Sequence, residues 1–283
     1  MIKIVSDTTC SLPKDIGDKY AITFIPVYLM FDGEPLRDQI DISSAEFYKR
    51  LIETDDLPQT MQPSVKDFQA LYSGLLERNP GCTIISIHVS KRLSGTVVSA
   101  EQAAASFKDA DIRVIDTNSL GLGHGLMVQQ AAQAAQQTND PEKVMQALAA
   151  TRSTLKGYLV LDTLDYLRKS GRIGHAARLM GTLLNIKPIL MLANGSVEPF
   201  ARHRNRADAL KALAALVIEG TKDQTGCHIG VMHTACESEA QALAGMLRES
   251  SEPETLIVSE LSGSVGVSLG PGALGVSWCS VPA

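Results

Sequence analysis

Three short apolar runs, at residues 2–5, 83–89 and 112–115, each end in a polar loop and are each followed by a helical pattern. Runs of this length, rich in isoleucine and valine, suit strands buried on both faces. Strand and helix in alternation imply a parallel sheet with helices packed against it. The helices between the runs carry start signals. Ser11 stands ahead of Pro13 and Asp15, Ser43 or Ser44 ahead of Phe47 and Leu51, and Ser64 ahead of Phe68, Leu71 and Leu75. Residues 22–31 read as one further strand with a bend at Pro26, closed by a turn at Asp32-Gly33. Gly121, Gly123 and Gly125 precede an alanine- and glutamine-rich helix that reaches about Gln137.

The pattern changes at Asn139-Asp140-Pro141. Strand-like runs then follow at 157–161, 186–192, 196–202, 227–233, 255–260 and 275–279, with helices at 141–151, 162–169, 207–218 and 237–248. The glycine-rich stretch from Gly266 to Gly272 reads as a loop. The expected architecture is α/β in two domains: an N-terminal parallel-sheet α/β domain, residues 1–150, and a C-terminal α+β domain, residues 151–283, with a mostly antiparallel sheet. The polar loops of the first domain fall at the carboxyl ends of its strands, where open α/β sheets place their ligands.

Charge and composition exclude several classes. The 283 residues carry a net charge of −5, which argues against a partner held by its nucleic-acid backbone. No apolar run is long enough to span a membrane, and the N-terminus has no secretory pattern. Cys10, Cys82, Cys227, Cys236 and Cys279 are scattered, with no CxxC pair, so neither a zinc site nor a disulfide framework is expected. Reduced thiols suit a cytoplasmic protein. The six histidines include no HExxH arrangement. No metal and no cofactor are expected, and no catalytic constellation stands out.

What stands out instead is hydroxyls. Asp7-Thr8-Thr9, Thr60-Met61-Gln62-Pro63-Ser64, Ser90-Lys91-Arg92-Leu93-Ser94-Gly95-Thr96 and Asp116-Thr117-Asn118-Ser119 each follow a strand or precede a helix. Each alone is a helix cap; gathered on one sheet edge they make an anion site. Ser94-Gly95-Thr96 is the sharpest, because glycine admits a ligand to the backbone beside two hydroxyl donors. It is no nucleophile elbow, since Arg92 takes the place of the first glycine. Two basic clusters, Arg168 to Arg172 and Arg202 to Arg206, stand out on an acidic chain and suit a phosphate or a partner. An enzyme of small-molecule metabolism, using the hydroxyl loops as a phosphate site, is one function these residues allow.

The ordered set of segments resembles the DegV family. Val5-Ser6-Asp7-Thr8-Thr9, Thr60 to Ser64, Leu93-Ser94-Gly95-Thr96, Val114 to Thr117, Asp162 to Ile173, Asn185 to Leu190 and Gly270-Pro271-Gly272 carry it, from the first strand to the last. The resemblance implies a bacterial fatty-acid-binding protein, the substrate-presenting partner of a fatty acid kinase. One long-chain fatty acid would lie in a tunnel between the domains, its carboxylate held by Thr60, Ser94, Gly95 and Ser268. The kinase would convert that carboxylate to an acyl phosphate, with Arg172, Arg202 and Arg204 facing the kinase. Ser268 occupies the place of a family histidine, and Met61 that of a family serine. Met61 is expected to line the tunnel, with Leu179, Met180, Leu183, Leu184 and Ile186 as further candidates.

Overall fold

A computed structural model of the chain describes residues 1–31, 33–54, 56–179 and 186–281. Asp32 of the expected turn, Asn185 of the matching segments, and the lining candidates Met180, Leu183 and Leu184 lie outside the described residues. The chain runs β1 (Ile2–Asp7), a 3-10 turn (Thr8–Cys10), α1 (Lys14–Lys19), β2 (Thr23–Ile25), β3 (Tyr28–Phe31), β4 (Glu34–Arg37), α2 (Ser44–Glu53), β5 (Gln59–Met61), α3 (Val65–Arg78), β6 (Thr83–His88), α4 (Thr96–Ala104), β7 (Ile112–Asp116), α5 (Gly121–Gln137) and α6 (Pro141–Thr154). It continues with β8 (Lys156–Val160), α7 (Asp165–Lys169), β9 (Lys187–Ala193), β10 (Ser196–His203), α8 (Arg206–Thr221), β11 (Cys227–His233), α9 (Glu237–Ser251), β12 (Thr255–Glu260), α10 (Gly263–Leu269) and β13 (Leu274–Ser280).

The expected α/β class holds. A parallel sheet in the order β2-β1-β6-β7 forms first, and a six-stranded sheet, β10-β9-β8-β13-β11-β12, forms later. The second sheet is antiparallel except for the β11–β12 pair. Both faces of the parallel sheet are buried, so its strands read as unbroken apolar runs. Val5 and Ile84 pack against α3 and α4. Their neighbours Ile4 and Ile85 point the other way, toward α5.

The region 22–31 is two strands, not one. Pro26 has no N–H and a fixed φ, so the ladder breaks there. β2 joins the parallel sheet, while β3 joins a separate three-stranded sheet, β4-β3-β5. Ser11 does not cap α1. It closes the 3-10 turn with a φ of 51°, and its Oγ accepts the Ser262 N–H at 3.0 Å. Gly121, Gly123 and Gly125 do not precede α5 but form its first turns. A Cβ on Gly125 would stand 2.7 Å from the Cys10 carbonyl oxygen, so glycine is what lets α5 lie on the turn after β1. The first part of α5 is buried all round because it is packed on both sheets: Leu122 meets Gly230 of β11, and Met127 faces β1. The residues 266–269, read as loop, belong to α10.

Between the sheets lies an apolar cluster that includes Leu122 and Leu126 of α5, Leu159 and Leu190 of the second sheet, and Val265 and Leu269 of α10. α10 is tied to the N-terminal part by Asp38, whose carboxylate accepts the N–H groups of Gly263 (3.1 Å) and Ser264 (3.0 Å). Burial pushes the Asp38 carboxyl above its ordinary value, against the hydrogen bonds from Ser264 and Gly263. The Tyr48 hydroxyl on α2 donates to the Leu261 carbonyl at 2.9 Å.

Candidate functional site

A cavity of about 70 Å³ opens beside that cluster. Its polar lining is Thr9, Thr60, Ser94, Arg172, Ser264 and Ser268. Each comes from a different stretch of chain or a different turn of helix. Thr9 lies in the 3-10 turn after β1. Thr60 is the middle residue of β5, opposite Leu29 of β3. Side chains alternate along a strand, so turning Thr60 inward turns Met61 outward. Met61 is accordingly 49% exposed and not among the lining residues, which corrects the expectation that it lines a tunnel. Leu179 and Ile186 do not line this cavity either; Leu179 packs against the apolar cluster between the sheets.

Ser94 precedes Gly95, the N-cap of α4. Its Oγ lies 2.9 Å from Thr96 Oγ1, and the Thr96 N–H donates to it at 3.4 Å. With those contacts behind it, the Ser94 hydroxyl group faces the cavity as a hydrogen-bonding group. Gly95 itself does not line the cavity. A Cβ there would stand 2.5 Å from the amide end of Gln62, which lies against the start of α4. Ser264 and Ser268 are one turn apart on α10, and so are Val265 and Leu269; all four reach the cavity. Val27, Val89, Leu93, Leu120, Leu167 and Val197 complete the apolar wall.

Arg172 follows α7. Its Nη1 donates to the Ser170 carbonyl at 2.6 Å and its Nε to the Leu93 carbonyl at 3.4 Å. No carboxylate pairs with it among the described residues. The structure therefore gathers Thr60, Ser94, Ser268 and Arg172 around one cavity. Arg202 and Arg204 are not with them: both are exposed, at and just beyond the end of β10. Nothing in the sequence flags Ser264 as a site residue. The only cue is its helical spacing from Ser268.

The histidines matter in a way the motif reading does not detect. Asp7, His88 and His124 are buried together behind Thr9. Burial by itself would raise the Asp7 carboxyl; the nearby His124 and the hydrogen bonds from His88 and Thr9 instead hold it well below the usual carboxylate range. Burial pushes His124 below its ordinary value, against the pull of Asp7. Burial also pushes the Cys10 thiol up to about 12. Among the described residues no cluster of histidine, cysteine or acid is placed to hold a metal ion, and no helix is long and apolar enough to cross a membrane.

A family model described as an uncharacterised protein of the DegV family matches residues 1–281. The protein DegV of Bacillus subtilis is 30% identical over 279 residues, covering 98% of this chain and 99% of its own length. A DegV domain-containing protein of Deinococcus radiodurans is 32% identical, covering 98% of this chain and 97% of its own. Among solved structures, a DegV family protein from Thermus thermophilus, described by its fatty acid binding, superposes with a TM-score of 0.93 at 32% identity, covering 99% of both chains. DegV of Bacillus subtilis, described as a fatty acid binding protein, superposes with a TM-score of 0.91 at 30% identity, again over 99% of both.

Proposed function

The chain belongs to the DegV family, and from that premise we propose that it binds one long-chain fatty acid in a tunnel between its N-terminal domain (1–150) and its C-terminal domain (151–283). The observation that carries this reading is the make-up of the cavity: Thr60, Ser94, Ser268 and Arg172 line it together with aliphatic side chains of valine and leucine. That combination suits an amphiphile with one anionic end. The carboxylate accepts hydrogen bonds from the three hydroxyls and pairs with Arg172. Arg172 thus supplies the cation that Ser268, in place of a family histidine, cannot.

The acyl chain extends into the apolar cluster between the sheets. At about 0.8 kcal/mol per methylene, burying a chain of about sixteen carbons is worth roughly 10 kcal/mol before ordering costs. The tail therefore dominates affinity, and the polar groups fix which end is presented. Arg202 and Arg204, exposed near the end of β10, face a fatty acid kinase that phosphorylates the held carboxylate. A kinase supplied with nucleoside triphosphate works inside the cell, so the proposed place of action is the cytoplasm. A phosphorylated metabolite, the alternative the hydroxyl loops allow, has no use for the aliphatic wall. Mass spectrometry of the native protein, then of an organic extract after denaturation, tests the proposal. A fatty acid released in stoichiometric amount is expected. A protein that stays empty after incubation with a fatty-acid panel would overturn it.

A further inference from the structure

Asp7 ends β1, fully buried, and binding a carboxylate makes no direct use of it. Its own carboxylate collects four donors. Oδ1 accepts the Thr9 N–H at 3.1 Å and the Thr9 hydroxyl. Oδ2 accepts the Val89 N–H at 3.1 Å and lies 2.9 Å from His88 Nδ1. Four donors match the roughly four acceptor positions of a carboxylate. With Nδ1 donating, the other ring nitrogen of His88 accepts from Ser86 Oγ at 2.7 Å, and Ser86 in turn accepts from the Tyr72 hydroxyl at 2.7 Å. Donor and acceptor roles are consistent from Tyr72 to Asp7. On the other side, His124 Nε2 donates to the Ile87 carbonyl at 3.1 Å, and its Nδ1 stands 3.4 Å from Thr9 Oγ1.

A buried carboxylate is costly unless every lone pair is used, and this one uses them to join two loops. Thr9 belongs to the turn after β1. Val89 begins the loop after β6, which leads to Ser94. Thr9 and Val89 both line the cavity. We propose that Asp7, backed by His88, is a positioning residue of the head-group site. It pins the turn after β1 to the loop after β6 and so sets where Ser94 stands relative to Thr60, Ser268 and Arg172. The inference rests on the reading of the cavity as a fatty-acid site. Asp7 bears the same sign of charge as the ligand's carboxylate, so it acts through geometry and not by attraction.

The test compares palmitic acid with hexadecanol, which has the same tail and no carboxylate. Affinities for both are measured by displacement of a fluorescent fatty-acid probe from wild type, Asp7→Asn and His88→Gln. An asparagine side chain cannot accept from all four donors, so in Asp7→Asn the acid-over-alcohol preference should fall by roughly tenfold while alcohol affinity is kept. His88→Gln should lower the preference by less. Retained alcohol binding reports an intact tail site, and if Asp7→Asn loses it, His88→Gln alone decides. An unchanged preference, an equal loss of both ligands in His88→Gln, or tighter acid binding in Asp7→Asn overturns the proposal. Wild type that binds neither ligand overturns the fatty-acid reading itself, and the inference falls with it.

Discussion

Changing Gly195 to alanine should cost about 2–3 kcal/mol, and half of the reason can be isolated by a second substitution. The β9–β10 hairpin turns through Asn194 and Gly195, with φ of 50° and 77°, the left-handed pair that a two-residue hairpin requires. Its tip docks on the loops after β6 and β7. Ser90 Oγ, fully buried, donates to the Gly195 carbonyl at 2.8 Å, and a Cβ on Gly195 would stand 2.4 Å from that same oxygen. Alanine in the left-handed region costs about 1–2 kcal/mol. The new methyl also forces the Ser90 side chain to rotate, which breaks its hydrogen bond at a further cost of about 1 kcal/mol. Ser90→Ala alone loses that same bond, about 1 kcal/mol. Because the bond can be lost only once, the double variant should cost about 2–3 kcal/mol, not the sum of the two singles. Urea unfolding of the four proteins gives the coupling directly. Additivity to within about 0.4 kcal/mol would refute the reasoning, since independent sites add to that tolerance. The hairpin carries Val197 into the cavity wall, so Gly195→Ala should also speed release of bound ligand.

Arg172→Gln should reduce fatty-acid affinity by about tenfold or more, with hexadecanol unaffected, because an ionic hydrogen bond is worth about 1.5–3 kcal/mol; probe displacement reads both. Ser94→Ala and Thr60→Ala should each cost roughly tenfold in acid affinity and lower acyl-phosphate yield with a kinase. Unchanged lipid content and unchanged yield in both would refute the carboxylate assignment. Thermal stability should decline as pH falls below about 6.5, because the unfolded imidazole of His124 takes a proton near its ordinary 6.5 while burial holds the native one lower. His228 and His233, lowered by burial in the same way, act in the same window. His124→Gln should flatten that slope in melting curves from about pH 8 to 5. Asp7 has the opposite cause and a lower window. Its native pKa lies below the ordinary 3.8, so its contribution is intact above about pH 4 and is lost only in stronger acid.

Much of the fold is legible because each buried strand needs its own apolar run and each helix its own cap. Ser43 and Ser64 cap α2 and α3 as their spacing implies. Ser11 misleads because a serine ahead of proline and an acid looks the same whether its hydroxyl caps a helix or reaches a distant N–H. β5 gives no signal at all: three residues paired to β3 are too few to show a period. The position of Thr60 therefore had to come from its register, and the outward turn of Met61 follows from the same register. The buried Asp7, His88 and His124 are 81 and 36 residues apart in sequence, and nothing local marks them as one group.

The alternation of strand and helix, the change of pattern after Asn139 and the hydroxyl-rich loops can all be read along the chain. Those are local properties, set by side-chain period, turn chemistry and charge. The tertiary structure decided which hydroxyls meet. Ser268 joins Thr60, Ser94 and Arg172 because α10, near the C-terminal end of the described chain, is held by Asp38 and Tyr48 from the N-terminal part. It also decided that Arg172, and neither Arg202 nor Arg204, is the cation at the cavity. A site built from both ends of a chain depends on packing between elements, and packing is a relation between residues that no stretch of sequence contains.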